Sequence, residues 1–149
     1  MDILVTRHGE TEWNVLKKVQ GKADIELNDV GKKQAVITAD KLQSEQFDLI
    51  ISSPLKRALQ TAEIINASRN IPIITDERIS ERDFGEFEGK GRGDFDFYEF
   101  WSYKESKRYI SAENIEDFFN RIYAFLNEIR EKYEDKKVLL VTHAGVSIA

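Results

Sequence analysis

Two histidines are the only imidazoles in the chain, and each directly follows an apolar, strand-like run. His8 comes after residues 3–6, and His143 comes after residues 138–142. In an open parallel sheet, ligands bind in the crevice at the carboxyl ends of the strands. If these two strands are neighbours, both imidazoles face the same crevice. A single histidine is more often structural, but two in equivalent positions, each beside a glycine, indicate a functional site.

Arginines accompany these histidines in a way that favours an anionic substrate. Arg7 precedes His8, and Arg57 falls in the first turn of a predicted helix that Ser53 and Pro54 open. A guanidinium offers paired donors that match phosphate oxygens, and a helix N-terminus adds free N–H groups. From the helix alone, however, a solvent-exposed Arg57 is the simpler interpretation.

A phosphate ester also needs a proton for its leaving oxygen, which a carboxylic acid can supply. Several acids lie within residues 79–89, and Glu81 is the first of them. Composition does not select one acid from this segment, and most of them are expected to be solvated.

Bulk properties exclude several classes of protein. The chain has 149 residues, which is the size of one domain, and it contains no cysteine. Disulfides, thiolate metal sites and cysteine-based phosphatases are therefore excluded. A net charge of −5 argues against nucleic-acid binding. Without an apolar leader or a membrane-spanning run, we expect no membrane association and a cytoplasmic location.

The order of predicted elements is typical of a parallel α/β sheet with right-handed crossovers. Buried strands are predicted at 3–6, 48–52, 71–75 and 138–142, and helices at 28–45, from Ser53 onward and at 116–133. Long loops at 11–27 and 79–109 interrupt this alternation, and the aromatic second loop is predicted to be a cap over a site. The sequence predicts the start of a helix just where the chain stops, so we expect a truncated C-terminal part.

Several motifs resemble those of the histidine phosphatase superfamily, whose name-giving members are the cofactor-dependent phosphoglycerate mutases. The stretch from Arg7 to Asn14 carries the signature Arg-His-Gly-Glu-Thr-Glu-Trp-Asn. Further matching blocks follow in the family's order at residues 20–21, 27–35, 52–62, 81–89 and 142–145. The resemblance implies one phosphoglycerate mutase-like domain over residues 1–149. Its fold would be a three-layer α/β sandwich with a mostly parallel central sheet, and its cap or loop insertion would lie at about 79–112.

The resemblance also assigns roles. His8 would attack phosphorus as a neutral ring, with its other nitrogen donating to a backbone carbonyl. Glu81 would protonate the leaving group and then activate water, with Asp83 the next candidate. His143 would donate to the phosphate and carry a proton when phosphate is bound. No metal or cofactor is implied. The residues expected to surround the phosphate or the rest of the substrate are Arg7, His8, Asn14, Gln20, Gly21, Arg57, His143 and Ala144.

The segment between Glu81 and His143 is shorter than in the mutases, which favours an open, wet site and hydrolysis. We therefore predict a phosphomonoesterase that acts on small phosphorylated metabolites and also binds inorganic phosphate. A mutase-type phosphotransferase is the alternative, since Lys104, Lys107 and Arg108 supply some positive charge. Two other possibilities are a non-catalytic phosphate-binding module and a metal site built on the histidines and Glu10. The chain is expected to be a monomer or a homodimer.

Overall fold

A four-stranded parallel sheet forms the centre of the computed structural model, which describes residues 1–102 and 111–149. The strands lie in the order β1-β4-β2-β3. Their bounds are β1 Asp2–Arg7, β2 Leu49–Ser52, β3 Ile73–Thr75 and β4 Lys137–Thr142. All four predicted strands are confirmed. The part of the predicted cap at residues 103–110, with Lys104, Lys107 and Arg108, lies outside the described residues.

The two inner strands are apolar on both faces because helices cover both faces of the sheet. Every residue of β2 is buried, and so are residues 138–142 of β4. The prediction of strands covered on both sides is wrong for the two edges. Leu4 and Val5 of β1 remain 38% and 47% exposed, and Ile74 of β3 is 38% exposed.

Within the described residues, five α-helices connect or flank these strands: α1 Glu12–Val15, α2 Asp29–Lys41, α3 Lys56–Asn66, α4 Ile115–Lys132 and α5 Ala144–Ser147. On one face of the sheet, Ala58, Ala62 and Ile65 of α3 pack against Ile50, Leu139 and Val141. On the other face, Phe125 and Ile129 of α4 pack against Ile51 and Leu140. Full burial of such side chains contributes about 1.5–3 kcal/mol each. The three-layer α/β architecture is thereby confirmed.

Local capping explains where most of these helices begin. Asn28 caps α2 by accepting a hydrogen bond from the backbone N–H of Gly31, as its position in the sequence predicts. Asn114 caps α4 in the same way. The expectation that Ser53 and Pro54 open α3 is wrong by two residues, because its N-cap is Leu55.

The two segments that interrupt the strand–helix alternation pack against each other. Residues 11–27, predicted as a loop, contain α1, and Val19 beyond it exchanges backbone hydrogen bonds with Gly89 and Lys90. Val19 also packs into an aromatic cluster that includes Phe84, Phe87, Phe95, Phe97, Phe100 and Trp101. Among the described helices, none is long and apolar enough to traverse a bilayer.

Candidate active site

Both histidines lie at the carboxyl edge of the sheet, because β1 and β4 are hydrogen-bonded neighbours. Arg7 is paired in register with Thr142, so the residues that follow them leave the sheet side by side. The backbone N–H of His8 donates to the Thr142 carbonyl at 3.0 Å. The two imidazole centroids are 5.2 Å apart. The structure therefore brings His8 and His143 into one site.

The ring of His8 is held in one tautomer. Its Nδ1 lies 2.6 Å from the carbonyl oxygen of Gly9. Because a carbonyl can only accept, the hydrogen is on Nδ1, and Nε2 keeps its lone pair. Burial lowers the pKa of His8 to about 4, and the charges of Arg57 and Arg7 act in the same direction. The ring is therefore neutral at pH 7 and can act as a nucleophile.

Arg57 is 1% exposed, contrary to the solvent-exposed interpretation that the helix alone favours. Its Nη1 and Nη2 donate to the carbonyls of Ala23 and Gly21, each at 2.7 Å. Its buried Nε has no hydrogen-bond partner among the described residues. Burial lowers the pKa of Arg57 to about 10, so the side chain is still charged at pH 7. A buried cation with an unpaired donor is suited to binding an anion.

Gly21, which helps to hold Arg57, occupies a position that requires glycine. Its φ is +53°, and a Cβ here would lie 2.2 Å from Glu88 Oε1. That carboxylate oxygen accepts from the backbone N–H groups of Lys22 and Phe84, at 2.8 and 3.1 Å. Glu88 therefore joins the Gly21 loop to the aromatic segment.

His143 is fully buried, and its two ring nitrogens have different surroundings. Its Nε2 lies 2.8 Å from Ser53 Oγ. Its Nδ1 is buried without a partner among residues 1–102 and 111–149. Burial lowers the pKa of His143 well below 6.5, and the positive charge of Arg57 adds to this. The ring is therefore neutral in the free protein.

Glu81 is held beside the histidines by two backbone donors. Its Oε1 accepts from the N–H of Arg82 at 3.0 Å, and its Oε2 accepts from that of Gly145 at 3.2 Å. Burial raises the pKa of Glu81, although these hydrogen bonds and the charge of Arg57 oppose the shift. A carboxyl group with a raised pKa can keep its proton closer to neutral pH and act as a general acid.

Arg121 of α4 fixes the backbone that carries Glu81, a role that the sequence did not indicate. Its guanidinium donates to the carbonyls of Arg78, Ser80 and Glu81 at 2.6, 2.9 and 3.1 Å. It also pairs with the Glu113 carboxylate at 2.6 Å. The only available signal was an arginine beside the apolar stripe of a helix, which normally indicates a solvated residue.

Thr11 orients two further predicted residues. Its backbone N–H donates to Asn14 Oδ1 at 3.0 Å, and its hydroxyl donates to Gln20 Oε1 at 2.7 Å. Because the amide oxygens are used in this way, the NH₂ groups of Asn14 and Gln20 are the ends that can donate to an anion.

A cavity of about 230 Å³ opens between the strand ends and the aromatic segment. Eight predicted residues line it: Arg7, His8, Asn14, Gln20, Gly21, Arg57, Glu81 and Ala144. His143 is not a lining residue, but it lies next to two of them: it precedes Ala144 in the chain, and its ring centroid is 5.2 Å from that of His8. The remaining lining residues are four from the predicted aromatic cap, Phe84, Arg92, Phe97 and Trp101, and three that the sequence did not indicate, Val19, Gly145 and Ile148. The cavity thus has a polar part around His8 and an aromatic part opposite.

The possible metal site at Glu10 is not formed in this geometry. One carboxylate oxygen of Glu10 instead accepts from Asn28 Nδ2 at 3.0 Å. Within the part of the chain that the structure describes, no three His, Asp or Glu side chains cluster at metal-binding spacing.

Comparison with known proteins places the chain in a family. Residues 3–149 match the family model of the histidine phosphatase superfamily, branch 1. The chain belongs to this superfamily, whose members act through a phosphohistidine intermediate.

The relatives include named phosphatases. The chain is 38% identical to "Uncharacterized phosphatase PhoE" of Bacillus subtilis, covering 96% of this chain and 72% of that one. It is 33% identical to "Phosphoserine phosphatase 1" of Hydrogenobacter thermophilus, with 95% and 70% coverage. The solved structure of Bacillus stearothermophilus YhfR superposes with a TM-score of 0.89 at 34% identity, covering 97% of this chain and 75% of that one.

Proposed function

We propose that this protein hydrolyses small phosphomonoesters, with His8 as the nucleophile and Glu81 as the proton donor. The main support for this proposal is the arrangement of His8, Arg57 and His143. The Nε2 lone pair of His8 is left free by the Gly9 bond, and the buried Arg57 and His143 nearby each have a nitrogen without a hydrogen-bond partner among the residues that the structure describes. Such a set of groups can bind a tetrahedral anion around a neutral nucleophile.

In the first step, Nε2 of His8 attacks phosphorus, and the bond from phosphorus to the ester oxygen breaks. The departing oxygen takes the proton of Glu81, so the leaving group departs as an alcohol. Arg57 and Arg7 stabilise the charge on the phosphoryl oxygens, and His143 donates to one of them.

In the second step, the Glu81 carboxylate takes a proton from water as the water oxygen attacks the phosphohistidine. The P–N bond breaks, its electron pair returns to Nε2, and inorganic phosphate leaves. Glu81 is protonated again, so the site returns to its starting state without a metal or cofactor.

The aromatic part of the cavity defines the side on which the leaving group lies. Phe97 and Trp101 each pack against Phe84, and all three line the cavity, so they can contact an apolar or ring-shaped group. The Hydrogenobacter relative is named for phosphoserine, which is a small phosphomonoester. We infer a small phosphorylated metabolite as substrate and inorganic phosphate as product.

A phosphoglycerate mutase-type transfer is the second candidate, and Arg92 favours it. This exposed arginine lines the cavity and lies over the Phe97 ring, 5.4 Å from its centroid, where it could bind a substrate carboxylate. With 3-phosphoglycerate and a trace of the bisphosphate as primer, a phosphatase releases inorganic phosphate. A mutase forms 2-phosphoglycerate instead.

We place this activity in one domain over residues 1–149, with the cap insertion at about 79–112, in the cytoplasm of the cell. The absence of cysteine suits a reducing compartment. We propose a monomer or a homodimer, and no nucleic-acid partner because the chain is acidic. Light scattering of the purified protein would report its mass in solution.

The test of the proposed function is the variant His8→Ala, with Lys41→Ala at an exposed site of α2 as control. We expect release of phosphate from para-nitrophenyl phosphate to fall by at least about 10³-fold in His8→Ala, because the nucleophile is lost. Circular dichroism should show that both variants fold. Substantial hydrolysis by a folded His8→Ala would refute the mechanism.

A further inference from the structure

Ser53 contacts His143 across the site and has no role in the mechanism above. It lies between β2 and α3 and is fully buried. Its backbone N–H donates to the Val141 carbonyl at 3.0 Å, which fixes it beside the end of β4. Its Oγ is 2.8 Å from His143 Nε2, 3.3 Å from the N–H of Leu55 and 3.4 Å from Ser80 Oγ.

The hydrogen of the Ser53 hydroxyl can point to one of two partners. The Leu55 N–H can only donate, so it uses one lone pair of Oγ. The hydroxyl hydrogen then goes either to His143 Nε2 at 2.8 Å or to Ser80 Oγ at 3.4 Å. The first distance is typical of a strong hydrogen bond, and the second is at the limit of one. A distance of 2.8 Å fits donation in either direction, but only donation from Ser53 leaves the ring hydrogen of neutral His143 on Nδ1, where the proposed phosphate-binding role needs a donor.

We propose that Ser53 is a positioning residue that fixes the tautomer of His143. By donating to Nε2, the hydroxyl puts the single ring hydrogen of neutral His143 on Nδ1, the buried nitrogen that has no partner in the described part of the chain. This inference rests on the proposed function, in which that nitrogen donates to a phosphoryl oxygen. The opposite tautomer would present a lone pair to the oxygen lone pairs of the anion and repel it.

This arrangement removes the need for a protonated His143. A cationic ring 5.2 Å from His8 would face Arg57 as well, in a buried site where charges of one sign are costly to bring together. A neutral N–H donor avoids this repulsion. The family resemblance implies a protonated ring in the phosphate-bound state, whereas the bond from Ser53 gives His143 the same Nδ1 donor without the extra proton.

Long-range ¹H–¹⁵N correlation spectra of the imidazoles test the proposal directly. The chain has two histidines, so His8→Asn assigns the signals of both. We expect neutral His143 in the wild-type protein at pH 7.5 to carry its hydrogen on Nδ1. A wild-type ring protonated on Nε2 would overturn the proposal without any further variant.

The variants Ser53→Ala and Ser80→Ala form a matched pair. Both delete one hydroxyl from a buried serine, but only Ser53 contacts His143. We expect Ser53→Ala to give a mixture of tautomers and to bind inorganic phosphate about tenfold more weakly, which is the effect of one hydrogen bond. Ser80→Ala should keep the wild-type tautomer.

Ser53→Thr retains the hydroxyl and should restore the tautomer. An unchanged tautomer in Ser53→Ala would contradict the proposal even if phosphate affinity fell, because the effect would then be merely structural. Tautomer and phosphate affinity are measured without turnover. The proposal can therefore fail or succeed independently of the His8 mechanism, which the activity of His8→Ala tests.

Discussion

Gly145 sets the position of the Glu81 carboxyl group, and adding one methyl group to it should weaken the proton donor selectively. A Cβ at this residue would lie 2.3 Å from Glu81 Oε1 and 2.9 Å from a carbon of the Trp101 ring. Ordinary contact begins near 3.4 Å, so Gly145→Ala must displace the flexible carboxyl group by about 1 Å. The α5 backbone itself tolerates alanine, since alanine has a higher helix propensity than glycine.

A misplacement of about 1 Å in a catalytic geometry costs on the order of 10²-fold in rate. The complete contribution of a general acid is about 10²–10⁴-fold, which sets the upper limit. We therefore expect kcat/KM of Gly145→Ala for an alkyl ester such as glycerol phosphate to fall about 10²-fold. The loss for para-nitrophenyl phosphate should be much smaller, because its leaving group needs no proton.

The assay compares kcat/KM for a series of esters with leaving groups of different pKa. Gly93→Ala is the matched control, since no described atom lies within 4 Å of a Cβ at that position. When Glu81 is already replaced by Gln, adding Gly145→Ala should not change how kcat/KM depends on the pKa of the leaving group. Equal slowing of alkyl and aryl esters by Gly145→Ala would refute the assignment of Glu81 as proton donor and move that role to another acid, Asp83 first.

Three further predictions concern stability and pH. The pKa of His8 is lowered from 6.5 to about 4 in the folded protein. As the pH falls, the unfolded state therefore binds this proton first, and the free energy of unfolding should fall by up to about 3 kcal/mol between pH 6.5 and 4. The free energy of unfolding of His8→Asn, measured by urea titration, should lack this part of the pH dependence. The same pH dependence in His8→Asn as in the wild-type protein would contradict the prediction. Arg121→Ala should lose about 3 kcal/mol of stability together with activity, whereas Arg130→Ala on the exposed face of α4 should lose neither. Hydrolysis of alkyl esters needs the proton of Glu81, whose pKa is raised by burial. On the alkaline side, this activity should therefore decline at a lower pH than hydrolysis of aryl esters, whose leaving group needs no proton. Superimposable pH profiles for the two kinds of ester would contradict this prediction.

The positions of the two histidines could be predicted because a strand pattern is recognised from a few consecutive residues. Apolar runs identify β1 and β4, and the residues that follow such runs come to the carboxyl edge of a parallel sheet. The neighbour relation of β1 and β4 could not be read in the same way, because it joins strands more than 130 residues apart. It is the step that converts two separate histidines into one site.

Local sequence patterns do not reveal the contacts of Arg57, Ser53 and Arg121. The buried state of Arg57 depends on carbonyls at Gly21 and Ala23, which a distant loop supplies. Ser53 looks like the start of a helix, yet its hydroxyl contacts a histidine 90 residues away. Arg121 looks like a solvated helix residue. In each case the deciding hydrogen bonds are long-range, and no local periodicity records them.

The most direct test of the account is to trap and locate the phosphoryl group on the protein. Glu81→Gln should still be phosphorylated by para-nitrophenyl phosphate, but it lacks the base that activates water, so the intermediate should accumulate. After rapid denaturation in alkali, ³¹P NMR and peptide mapping should find phosphate on Nε2 of His8, because Nδ1 is occupied by its bond to Gly9. Phosphate on Nδ1, on another residue, or on no residue during turnover would contradict the mechanism.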